Sequence, residues 1–137
     1  VGSFNAIRVY LWAGMLADDD PVRPVLLKTF APMSQYVAAQ GIPPLQTKTR
    51  EGTAIGSGPA SFSAALLPFL AAAKLSDTLH QQRLRVEVKA PLDRTDNYYD
   101  QVLTLFGLGW IEGRYRFARD GALIPNWTCA ANSSQSR

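Results

Sequence analysis

Cysteine and histidine are nearly absent: Cys129 and His80 are the only ones in the chain. One thiol cannot close an intrachain disulfide, so cysteine usage identifies no redox compartment. One thiol and one imidazole do not supply the ligands from which zinc sites are usually built, and no metal is expected. A Ser-His-Asp triad would have to use His80, yet no G-x-S-x-G elbow accompanies it. Its neighbours Gln81, Gln82 and Arg83 mark it as a partly exposed polar residue. Excess charge is also scarce. Fourteen Lys and Arg against eleven Asp and Glu leave +3, and the basic groups around Arg83, Arg85 and Lys89, and around Arg114, Arg116 and Arg119, have acids among or near them. Nucleic acid, which wants a basic stripe with aromatic platforms, is therefore not an expected partner.

Long apolar runs are missing too. The uncharged stretch from Gly52 to Ala73 is interrupted by Gly, Pro and Ser, and only Phe62 to Ala73 is continuously apolar apart from Ser63. That is a buried helix, too short to span a bilayer. No signal peptide is visible and the chain opens on Val1, so it is expected to start within a longer protein or after processing. What remains, 47% hydrophobic and 18% charged over 137 residues, suits one globular unit with a substantial core.

The pattern along the chain is mostly helical. Phe4 to Ala17 is apolar on every side except at Asn5 and Arg8, which predicts a helix enclosed by neighbours. Asp18, Asp19 and Asp20 end it, and Asp20-Pro21 is an N-cap and first-turn pair for a second helix, Pro21 to Gln40. Capping is the role expected of these carboxylates. Pro24 falls in the first turn, whereas Pro32 falls mid-helix and should bend it. Gly41 stops the helix, followed by Pro43 and Pro44.

Ile42 to Gly58 reads as a loop with extended pieces around Gln46 to Thr49 and a turn at Glu51-Gly52. A third helix covers Ala60 to Ala73. A fourth runs from Ser76 or Asp77 to Val88, with Leu79, Leu84 and Val88 as its apolar face. After a polar connection, Pro91 to Asn97, a fifth helix spans Tyr98 to Gly113, its Leu103, Phe106, Trp110 and Leu105, Leu108 stripes predicting another enclosed rod. "YRFARDGALIPNW" reads as a β-hairpin turning at Arg119-Asp120-Gly121, and the tail from Ala130 should fray. No solenoid repeat emerges. Apolar and amphipathic helices alternate, which fits a two-layer ring with inner helices covered by outer ones, and five helices do not close such a ring.

Asn5 and Arg8 pose the functional question. Three positions apart on a helix they share a face, and a guanidinium buried without a carboxylate is costly. The blocks "GSFNAIRVYLWAGML", "GPASFSAALLPFL", "YYDQVLTLFGLGW" and "RYRFARDGALIPNW", in that order, resemble the C-terminal part of glycoside hydrolase family 8. Within the family the resemblance points to the periplasmic endo-β-1,4-glucanases that accompany bacterial cellulose synthase. It implies an all-α fold, the C-terminal portion of an (α/α)6 barrel with a small β-hairpin near the C-terminus. It also implies an inverting mechanism without metal or cofactor, a β-1,4-glucan substrate, and a periplasmic or secreted location. Residues 1–137 would be the later portion of one catalytic domain, partnered by the N-terminal segment of the same enzyme, which carries the general acid, and further by the cellulose synthase complex.

In the matching motif the family carries Tyr-Asp-Ala-x-Arg, with the Asp as general base; here it stands as Phe4-Asn5-Ala6-Ile7-Arg8. Inversion needs one group to protonate the leaving oxygen and a second, roughly 6.5 to 9.5 Å away, to deprotonate water. Asn5 can position water but cannot accept its proton. The resemblance therefore makes Arg8 the partner of a carboxylate replaced by an amide of nearly the same shape. An engineered change, a base supplied from elsewhere and a natural non-catalytic binder each account for it. Glu51 and Asp96 are alternative bases in this chain, although loop solvation and helix capping explain them as well. Sugar faces need aromatic platforms, for which Tyr98 and Tyr99 are the candidates, then Trp12 and Tyr10; Trp12, Trp110 and Trp127 also serve as core fillers. The rival reading is a non-catalytic helical module that binds glucan or a synthase subunit.

Overall fold

A computed structural model describes residues 2–89 and 97–127. In chain order it contains α1 (Ile7–Met15), α2 (Arg23–Thr29), α3 (Ala31–Gln40), β1 (Gln46–Lys48), β2 (Thr53–Ile55), α4 (Ala60–Ala72), α5 (Ser76–Lys89), α6 (Tyr98–Ile111), β3 (Tyr115–Phe117) and β4 (Leu123–Pro125). The fold is mostly helical, as expected. Its strands form two antiparallel hairpins, β1–β2 and β3–β4. The second matches the hairpin read from the sequence: the Asp120 carboxylate accepts the Ala122 N–H at 3.0 Å and the Ala118 N–H bonds the Ala122 carbonyl at 2.9 Å. The polar connection expected from Pro91, together with Asp96, Cys129 and the tail from Ala130, lies outside the described residues.

α4 is the axis of the molecule. Every residue from Ala60 to Leu70 is buried, because α1, α5 and α6 all pack against it. Phe62, Leu66 and Leu70 join Ile7, Leu11 and Met15 of α1, Met33 and Val37 of α3 and Leu103 of α6 in one core, each large side chain contributing about 1.5–3 kcal/mol of transfer free energy. Paired contacts give the directions. Phe4 meets Phe62 while Tyr10 meets Phe69, so α1 and α4 are parallel. Phe4 meets Tyr99 while Trp12 meets Phe106, so α1 and α6 are parallel as well. α5 runs the other way, since Gln82 bonds Ser63 and Arg85 bonds Pro59. Three parallel helices thus begin at one end, with an antiparallel helix behind them.

Two close approaches hold this layer together. A Cβ on Gly14 would fall 2.2 Å from the Phe69 nitrogen, and one on Gly107 would fall 2.0 Å from the Ala64 carbonyl oxygen. Pro68, inside α4, has no N–H to give the Ala64 carbonyl four residues earlier. That carbonyl faces the glycine of the adjacent helix.

Several expectations are corrected. The second helix is two helices, α2 and α3, separated at Phe30 (φ −95°, ψ 2°). Pro32 cannot donate to Lys28 and clashes with its carbonyl, so it starts a new helix within the first turn. Asp20 makes a turn rather than capping α2 directly, its carboxylate accepting the Val22 N–H at 2.8 Å. The inward face of α5 carries Thr78, Gln82 and Val86, whereas Leu84 and Val88, two of the three residues expected there, are exposed. A polar network explains that register. Ser63 donates to Gln82 at 2.7 Å, Gln82 donates to the Gly41 carbonyl at 2.9 Å, and Arg85 donates to Ser63 at 2.7 Å and to the Gly58 carbonyl at 2.7 Å. Finally, α1 and α6 are not enclosed on every side among the described residues: Val9, Trp12 and Leu105 are 46%, 48% and 59% exposed.

Candidate active site

The shared starting end of α1, α4 and α6 collects the residues singled out in the sequence. Asn5 and Arg8 lie there on one face, and both are exposed, which corrects the expectation of a buried guanidinium. Arg8 is open on its outer side, and its terminal nitrogen donates to the Asn5 Oδ1 at 3.1 Å. What stands opposite Arg8 is the amide itself. No carboxylate lies within ion-pair distance of Arg8 among the described residues.

Tyr98 and Tyr99 arrive from the first turn of α6, where Asn97 caps the helix by accepting the Asp100 N–H at 3.3 Å. Tyr98 is 84% exposed. The Tyr99 hydroxyl donates to the Phe4 carbonyl, and its ring meets the Phe4 ring edge-on at 5.8 Å. Burial raises the Tyr99 phenol above its ordinary range; the Arg8 charge opposes that rise and the Asp100 charge adds to it. Tyr99 thus feels both the Arg8 and the Asp100 charge and touches the peptide that carries Asn5.

Other candidates lie elsewhere. Tyr10 packs between Phe30 and Phe69. Trp12 lies about 10 Å further along α1 than Asn5, against Phe106 and Phe117. Glu51 is in the β1–β2 turn, paired with Lys48 at 3.2 Å and exposed. Cavities of about 340 and 380 Å³ lie between Trp110, Arg116 and the β3–β4 hairpin, and Asn5, Arg8, Tyr98 and Tyr99 line neither. The group at the helix starts is an open edge. Sequence reasoning missed Ser61 and Asp100, which hydrogen-bond each other across α4 and α6. The signal available was an acid three residues after Asn97, which marks a helix start but not what lies across from it.

The family model described as glycosyl hydrolases family 8 matches residues 1–113. The chain belongs to this family. It is 44% identical to an endoglucanase of Escherichia coli (strain K12) over 93% of this chain and 33% of that protein. It is also 44% identical to an endoglucanase of Xanthomonas axonopodis pv. citri (strain 306), over 97% of this chain and 36% of that one. Its fold superposes on the crystal structure of an endo-1,4-D-glucanase from Vibrio fischeri ES114 with a TM-score of 0.73 and 36% identity, covering 92% of this chain and 36% of that one. The chain thus spans about a third of the length of the family 8 relatives it matches. The parallel helices α1, α4 and α6, backed by α5, are the corresponding portion of an (α/α)6 barrel.

Proposed function

We propose that this chain is the later portion of the catalytic domain of an inverting endo-β-1,4-glucanase, acting on cellulose or cello-oligosaccharides once the polypeptide that precedes this portion in longer relatives completes the barrel. Asn5 stands at the position from which water is deprotonated, Arg8 orients it, and Tyr98 offers an open aromatic face to a sugar ring. The observation that carries this reading is the pairing of Asn5 with Arg8 at the exposed starting end of three parallel helices. A carboxylate at position 5 would face the Arg8 guanidinium, which favours its ionised form. An amide there has no comparable basicity, so turnover falls by about a hundred- to ten-thousand-fold while the site keeps its shape. The resemblance of the four sequence blocks supports a role beside the cellulose synthase complex and a periplasmic or secreted location.

In the complete protein carrying this chain, Asn5→Asp is expected to raise reducing-sugar release from a soluble cellulose derivative by at least about a hundredfold. Equal release from both forms would remove position 5 from the chemistry. A second reading, a glucan-binding module without catalysis, is favoured by the engagement of the Asn5 oxygen by Arg8. Binding of cello-oligosaccharides with no turnover, unrelieved by Asn5→Asp, would select it.

A further inference from the structure

Each of the three parallel helices contributes two consecutive residues to its shared end: Phe4-Asn5 ahead of α1, Ser61-Phe62 in α4, and Tyr99-Asp100 in α6. Contacts among them close a ring. Ser61 donates its hydroxyl to one Asp100 oxygen, Tyr99 donates to the Phe4 carbonyl, and the Phe4 ring meets the Phe62 ring edge-on at 5.1 Å. Asp100 is the charged member. Its other oxygen accepts the Asn97 amide at 2.5 Å, and its own carbonyl accepts the Thr104 hydroxyl at 2.8 Å.

Capping α6 requires Asn97 and the helix's own N–H groups. It does not require a bond to α4. The Ser61 bond ties the start of α6 to the buried axis of the molecule, and the residue before Asp100 carries that anchorage to the peptide of Asn5. Both Asp100 oxygens are thus tied to protein donors, one on α4 and one at the start of α6.

We infer that Asp100 and Ser61 are positioning residues for the site: through Tyr99 and Phe4 they fix Asn5, and hence the water or sugar hydroxyl it holds, relative to the helix starts. The effect on hydrolysis rests on the glucanase reading; the effect on Asn5 does not. A displacement of a reacting group by about 1 Å can cost about a hundredfold, so the ring acts on turnover more than on affinity.

The test follows the Asn5 side-chain amide by NMR in the complete protein with labelled asparagine, its signal assigned by its loss in Asn5→Asp. Ser61→Ala and Tyr99→Phe each delete one hydroxyl, and each is expected to shift or broaden that signal; Ser61→Thr, which keeps the hydroxyl, is expected to restore it. On the Asn5→Asp background, Ser61→Ala and Asp100→Ala should lower kcat by about tenfold or more with KM held within about threefold. An Asn5 signal unmoved by Ser61→Ala and by Tyr99→Phe overturns the inference, even if Asp100→Ala fails to fold. If the signal moves but no form binds or cleaves glucan, the positioning stands and the glucanase reading falls.

Discussion

Gly107 has no substitute of ordinary size. Its α-carbon abuts the Ala64 carbonyl that Pro68 leaves without a helical donor, and a methyl group placed there would overlap the oxygen. Gly107→Ala must push α6 off α4, an overpacking cost of about 3 kcal/mol. Equilibrium urea unfolding of the wild type and the variant measures it, and a loss below about 1 kcal/mol would show that the two helices slide apart freely. Tyr115 is constrained differently. Its hydroxyl donates to the Phe106 carbonyl at 2.8 Å, and burial pushes its pKa up to about 12. The unfolded phenol ionises near pH 10, so folding favours the neutral form. Its contribution is complete below about pH 10 and is lost as pH rises through about 12. Thermal midpoints should fall more steeply over that window in the wild type than in Tyr115→Phe. At this scale the shared face of Asn5 and Arg8 was legible from their spacing, their role is proposed only through the resemblance to family 8, and the exposure of Arg8 depends on which neighbours cover that face.

Among the elements, α5 shows what periodicity misses. Its exposed Leu84 and Val88 and buried Gln82 invert the apolar pattern, because Gln82 satisfies Ser63 of α4 and the carbonyl of Gly41 beyond α3 in one step. Gln82→Leu fits the volume but abandons both partners, and each lost buried hydrogen bond is worth about 1–3 kcal/mol. A loss of at least about 2 kcal/mol is expected in denaturant unfolding, with faster hydrogen exchange where α3 ends. Unchanged stability would mean that the network is decorative. The division of the second helix into α2 and α3 is the opposite case. Pro32 announced a bend, and the missing N–H turned the bend into a break.

Over the whole molecule, the parallel helices leave apolar side chains uncovered among the described residues. Trp12 and Val9 on α1 and Leu105 on α6 remain substantially exposed, and the family 8 relatives are about three times as long. Such a surface attracts apolar partners. Produced without further polypeptide, the chain is expected to bind an apolar dye and to self-associate with rising concentration. Leu105→Glu should reduce both without loss of helicity, measured by sedimentation velocity and circular dichroism. A monomer that binds no dye would place those side chains in a closed surface.

The amino-acid sequence by itself determined where α4, α5 and α6 start and where α3 stops, though not the break at Phe30, because prolines, glycines and capping side chains act within a few residues. It determined the closing hairpin for the same reason, and the pairing of position 5 with position 8, which one helical turn dictates. Tertiary structure alone decided that α1, α4 and α6 run parallel from one end, that a polar face of α5 turns inward, and that Ser61 and Asp100 meet beside Tyr99. Those contacts join residues far apart in the chain. Their energies depend on which surfaces are buried together, a quantity that no local pattern contains.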